Sequence, residues 1–238
     1  MPLERIDPTQ PSSLVLLIFG DNGAGKTHLA LTYPGKKLLI DWLANPQVVS
    51  RFPDQSITVA AGPRTWQPIT EMWSDKLIDE HEVIIFDNLT GLYRFLLDDV
   101  VASIPLSSKE SKRPAPGIPI LRDYGLASER LRNCVNQMVN LSRSKQKSVI
   151  AICHVRFEKN DQGANIKGYP SVPGQVPAYV LSLFPEQIYL KALSNGQRVA
   201  YLLPFDIFEG GATRILNQTR YDNPNLATMY ANKPKEEK

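Results

Sequence analysis

The segment Gly20-Asp21-Asn22-Gly23-Ala24-Gly25-Lys26-Thr27 runs directly on from the apolar stretch Leu14 to Phe19, and it constrains the fold more than any other part of the chain. It spells G-x-x-x-x-G-K-[ST] behind a strand, the spacing of a phosphate-cradling P-loop. The strand delivers the backbone into a turn whose glycines can take φ > 0, and the turn's N–H groups converge on an anion where the next helix begins. In that role Gly20 to Thr27 and His28 form the nucleotide cradle, the Lys26 ammonium reaches the β- and γ-phosphates, and the Thr27 hydroxyl holds Mg²⁺. A glycine-rich turn without a ligand is the other reading of such a stretch. The full spacing, the Lys-Thr ending and the preceding strand all argue against it.

A P-loop requires a parallel α/β sheet around it, and the apolar runs supply the strands. Lys37 to Asp41 and Glu82 to Asp87 are short buried strands that each end in an acid, and Ser148 to Cys153 is a third. Ser56 to Ala60 is a weaker strand. Helices are predicted over 25–33, 65–80 (Trp66, Ile69, Trp73, Leu77 and Ile78 at helical spacing, Thr65 near the N-cap), 90–101 and 121–144. Gln187 to Leu193 and Gln197 to Leu203 flank Ser194-Asn195-Gly196, a hairpin signal. The expected fold is α/β: a mainly parallel sheet with helices on both faces and a C-terminal antiparallel hairpin. Its expected organisation is an N-terminal extension over 1–13, a core over 14–222 and a polar tail over 223–238. Ser103 to Pro119, with four prolines and four serines, and His154 to Pro177, with three glycines and three prolines, read as long loops.

Charge and cysteine content bound the function. Lys and Arg outnumber Asp and Glu by only 27 to 24, so a nucleic-acid surface must be local rather than global. Two cysteines outside any metal-ligand spacing fit a reducing compartment. The polar, proline-containing Met1 to Ser13 does not read as a signal peptide, and no apolar run reaches the roughly 20 residues of a membrane span. The expected location is cytoplasmic, with no membrane partner.

The strand Val83-Ile84-Ile85-Phe86 followed by Asp87, sixty residues beyond Thr27, has the Walker B pattern, in which Asp87 holds Mg²⁺ beside Thr27. Asp41 has two readings: a water-activating base at the same sheet edge, or a turn carboxylate. His154, ending the strand Val149 to Cys153, is either a γ-phosphate sensor or a structural histidine. A guanine-reading Asn-Lys-x-Asp is missing, and the Ser103 to Pro119 loop holds one arginine where a kinase lid would hold several.

Gly20 to Thr27, Leu38 to Asp41, Val83 to Thr90, Asp123-Tyr124-Gly125 and Val149 to His154 occur in an order that resembles the phage-type RecA-core ATPases, which include single-strand annealing recombinases of bacteriophages. The resemblance covers about 14–214. It implies a RecA-like P-loop NTPase fold, ATP with Mg²⁺, self-association into a ring or filament, single-stranded DNA as partner, and a single-strand-binding or replication protein as a further one. It also implies that the segment after His154 faces DNA through Arg156, Phe157, Lys159, Lys167 and Tyr169, and that Arg214 reaches a neighbouring subunit's nucleotide; a solvated loop and a surface arginine are the plainer readings. One departure stands out: Asp41 is followed by Trp42-Leu43-Ala44-Asn45, with no glutamate to activate water. Two other functions therefore remain open, an ATP-gated accessory or loader acting on a protein partner, and a P-loop nucleotide or metabolite kinase.

Overall fold

A computed structural model describes residues 13–43, 46–53, 56–103, 115, 117–208, 216 and 218–231. Among the described residues nine strands form one sheet: β1 (Val15–Gly20), β2 (Lys37–Asp41), β3 (Ile57–Ala61), β4 (Val83–Asp87), β5 (Ser148–Lys159), β6 (Asn165–Pro170), β7 (Glu186–Ala192), β8 (Arg198–Leu202) and β9 (Arg220–Asp222). The order is β3-β2-β4-β5-β1-β7-β8-β9, with β6 pairing outside this path on β5. Strands β3 through β7 in that order are parallel, whereas β7-β8-β9 and β5-β6 are antiparallel. This is a mostly parallel α/β sheet with the C-terminal antiparallel hairpin that the Asn195-Gly196 turn predicts; Gly196 takes φ +83° there.

Both faces of the sheet are covered, which explains why the central strands are apolar at every position rather than at alternate ones. Val15, Leu17 and Phe19 face one core and Leu14, Leu16 and Ile18 the other. The first core packs under α4 (Leu89–Ser103), α5 (Leu121–Lys145) and α6 (Val176–Leu183), and the second under α1 (Lys26–Leu31) and α7 (Leu226–Ala231). Asp123 starts α5 by accepting from the Ile120 N–H at 2.9 Å.

Three expectations change. The helix predicted over 65–80 is broken into α2 (Trp66–Glu71), a 3₁₀ turn at Met72–Ser74 and α3 (Lys76–Asp79). Asp75 is extended there and its carboxylate accepts from the Leu77 N–H at 2.8 Å, a local cap that competes with helix continuation. The break shifts the phase, so Ile78 is buried while Leu77 is exposed. The long loop after His154 is mostly regular: β5 runs on to Lys159, turns through Asn160 to Ala164, and returns as β6, with α6 following. Within the segment expected to be a polar tail, α7 buries Leu226, Met229 and Tyr230 and is tied to α1 by the Leu226 N–H donating to Thr32 Oγ1 at 2.8 Å. Met1 to Ser12, most of the Ser103 to Pro119 loop, Arg214 and Asn232 to Lys238 lie outside the described residues. No helix among the described residues is long and apolar enough to cross a membrane.

Burial pushes the thiol of Cys134 up to about 12 and that of Cys153 up to about 11, each behind sheet or helix. The thiolate is the reactive form, so neither should be alkylated by iodoacetamide at neutral pH in the native protein, and both should be on unfolding. Mass spectrometry of labelled native and denatured protein checks this; fast native labelling of either would contradict the packing.

Candidate functional site

Parallel register brings the ends of β1, β2 and β4 and the middle of β5 to one edge of the sheet. Gly20 pairs with His154, Asp41 with Asp87, and Asp87 with Ile152. The chain leaves β1 for β2 on one side and adds β7 on the other, so the crevice at the C-terminal end of β1 is the switch point at which open α/β sheets bind ligands. A cleft of about 500 Å³ opens there, walled by the P-loop, Asp41, Asp87, Asn88, His154 and Arg198, with Gln47, Val48 and Arg51 from the 3₁₀ turn Pro46–Arg51.

Gly23 and Gly25 take φ +75° and +92°, the turn geometry for which the motif selects glycine. Lys26 folds back, donating to the carbonyls of Gly20 at 3.1 Å and Asp21 at 2.7 Å. Burial lowers its pKa, against the opposing pull of Asp87 and other acids. Thr27 Oγ1 donates to Asp87 Oδ2 at 2.5 Å. Burial raises the Asp87 carboxyl above the usual range, partly offset by the Thr27 hydroxyl. Asp41 Oδ1 accepts from the Leu43 N–H at 2.8 Å, and the carboxylate also lines the cleft. The peptide bond between Asp87 and Asn88 is cis.

His154 sits between two donors. Its Nδ1 is 3.5 Å from Lys26 Nζ and its Nε2 is 3.4 Å from Asn88 Nδ2, while Asn88 Oδ1 accepts from the Gly91 N–H at 2.7 Å and so fixes the amide. Burial and then the Lys26 charge lower the His154 pKa, which favours neutral imidazole. A neutral ring has one acceptor nitrogen, so in either tautomer the N–H of the other points at a donor. A phosphate oxygen beside Lys26 and His154 would accept from both and relieve that mismatch.

These residues fit a nucleoside triphosphate with Mg²⁺. Lys26 is a buried cation facing the loop, and the Thr27 hydroxyl touches the Asp87 carboxylate, the two oxygens that would hold the metal; Mg²⁺ would supply charge neutralisation on the phosphates. His28 lines the cleft with its ring 4.9 Å from that of Phe52, and burial, then Arg198 and Arg51, lower its pKa.

Residues 12–213 match the sequence model of a family described as AAA domain. The chain belongs to the AAA domain family. That membership and the sheet together make it a nucleotide-binding P-loop protein of the ATPase class. No curated protein matches the chain.

Leu43, Gln47, Val48, Arg51, Asn88 and Arg198 line the cleft without having been singled out from the sequence as site residues. Arg198, on β8, donates from Nε to the Ala24 carbonyl at 3.0 Å and lies over Gly25, where a Cβ would come within 2.5 Å of that nitrogen. Nothing in local spacing links a residue to a loop 174 positions away.

Of the residues expected to face DNA, Arg156, Lys167 and Tyr169 lie on the β5–β6 hairpin with the Arg156 guanidinium 4.5 Å over the Tyr169 ring, and Lys159 is exposed at the end of β5. Phe157 departs from expectation. Successive strand residues alternate faces, and its ring packs against the core at 5.9 Å from Phe208 rather than offering a stacking face.

Lys26→Ala should weaken ATP binding by about 10- to 100-fold, the weight of a charge-assisted contact to phosphate. Titration calorimetry with ATP-Mg²⁺ measures it; an unchanged Kd would remove the lysine from the site.

Proposed function

We propose that the chain is an ATP- and Mg²⁺-dependent ATPase that assembles on single-stranded DNA in phage-type recombination or replication. The observation that carries the reading is the meeting of Lys26, Thr27, Asp87 and His154 at one sheet edge, continued along the same strand, β5, into the basic and aromatic hairpin. In this reading Lys26 and the P-loop backbone bind the phosphates, Thr27 and Asp87 hold Mg²⁺, and His154 senses the γ-phosphate. Arg156, Lys159 and Lys167 contact the strand's phosphates and Tyr169 a base. Self-association into a ring or filament, a finger role for Arg214, contact with a single-strand-binding or replication protein, and a cytoplasmic location in a bacterial host belong to the same proposal.

A second reading, a weakly hydrolytic ATP-gated accessory protein, is favoured by one observation. Among the described residues the carboxylates of the cleft are Asp41 and Asp87; Asp87 is engaged by Thr27, and Asp41 holds the Leu43 N–H. Water activation therefore falls to a carboxylate already used in a turn.

ATP hydrolysis at low salt should rise on adding single-stranded DNA, with Lys26→Ala as the blank. ATP binding without hydrolysis, unchanged by DNA, would favour the accessory reading. Asp41→Asn separates the two uses of that carboxylate: if it activates water, turnover should fall at least ten-fold with ATP affinity kept, and equal turnover would assign it to the turn.

A further inference from the structure

A second cavity, of about 580 Å³, lies between the β5–β6 hairpin and helices α5 and α6, and it shares no lining residue with the phosphate cleft. Its hairpin wall carries Arg156 over Tyr169 at 4.5 Å. Its helical wall carries Arg132, from α5, over Tyr179, from α6, at 5.8 Å. The Tyr179 hydroxyl donates to Asn136 Oδ1 at 2.7 Å, so that ring is held in place. Lys167 adds a third cation, and Glu158 is the one carboxylate among the lining residues.

The chemistry of the walls is selective. Both arginines keep a buried Nε without a hydrogen-bond partner among the described residues, and buried donors of this kind call for an acceptor. Guanidinium planes laid on tyrosine rings form flat surfaces against which a further planar group stacks. Pro177, Ala178 and Leu181 give the remainder an apolar stretch that suits a ring, and Gln175 and Ser182 add polar groups at its edge. The cavity is too large for phosphate alone, and an acidic peptide would leave the stacking surfaces unused.

We infer that this cavity takes one nucleotide unit, an unpaired base with its phosphate, the base against the arginine and tyrosine surfaces and the phosphate on the guanidinium and ammonium groups of Arg132, Arg156 and Lys167 that line it. The inference deepens the proposed single-strand reading and rests on it for the polymer as source of that unit; a free nucleotide offers the same chemistry. What is new is the helical wall. Arg132 and Tyr179 complete a pocket that captures a base from the side opposite the hairpin.

The test measures fluorescence anisotropy of labelled dT20 at several salt concentrations with ATP-Mg²⁺ present. Arg132→Gln should lower affinity about five-fold or more and reduce the slope of log K against log salt by about one. Ala178→Trp fills the cavity from an exposed helical position and should lower affinity similarly, with unfolding midpoints reporting that both variants fold. Wild-type binding of dT20 that neither variant alters would overturn the pocket and leave the single-strand reading standing. Calorimetry with dTMP on the Lys26→Ala chain, whose phosphate cleft is weakened, separates the sources. If dT20 does not bind the wild type but dTMP binds and Ala178→Trp abolishes this, the pocket stands as a free-nucleotide site and the single-strand reading fails. Binding of neither probe overturns the inference.

Discussion

The parallel pairing of β5 between β1 and β4 is the constraint on which the site depends. Because β5 lies between them, the strand that ends in the P-loop and the strand that ends in Asp87 are held one strand apart, and the residue ending the intervening strand's buried stretch, His154, arrives level with Gly20. A slip of one residue in either ladder would turn these side chains to the opposite face of the sheet. The two cores resist that slip, since Val149, Ala151 and Cys153 pack on one side and Ile150 and Ile152 on the other. The position of the polar site is thus fixed by apolar side chains that never touch it.

Within this frame the cleft is electrostatically incomplete. Lys26 satisfies two of its donors on carbonyls of its own loop, His154 faces donors on both ring nitrogens, and Asp87 is half-buried with the Thr27 hydroxyl as its hydrogen-bond donor. Bound phosphate and a divalent cation would reduce each of these mismatches. Arg198 adds a positive edge from the antiparallel end of the sheet, so the cleft draws on strands from both sides of the switch point.

Much of this was legible in the sequence. Strands β1, β2 and β4 announce themselves because both their faces are covered, which makes each an unbroken apolar run closed by a glycine or an acid. The P-loop and the Asn195-Gly196 turn are local chemistry and read directly. The β5–β6 hairpin is different. Beyond Cys153 the strand is only partly covered, its residues are mixed, and the partner strand offers Gly168, which has no side chain to mark a packed face. Helix α7 is too short to show a period, and its burial depends on contact with α1 nearly two hundred residues earlier. The break at Asp75 is hidden because the apolar spacing on either side of it reads as one continuous helix.

The missing side chain at Gly168 has a further consequence. A Cβ there would fall 2.1 Å from the ring of Phe208, which lies stacked on Tyr189 with centroids 3.9 Å apart and meets Phe19 and Phe157 edge-on at 5.9 Å. The Gly168 N–H donates to the Ile207 carbonyl at 3.0 Å beside this contact. The hairpin is therefore clamped to the core at its middle rather than hanging from its two ends. Ordering a free loop costs on the order of 1–2 kcal/mol per residue in backbone entropy. Here that cost is met when the protein folds, so a ligand arriving at the hairpin finds its surface already set, and the contact energy is not spent on freezing the chain.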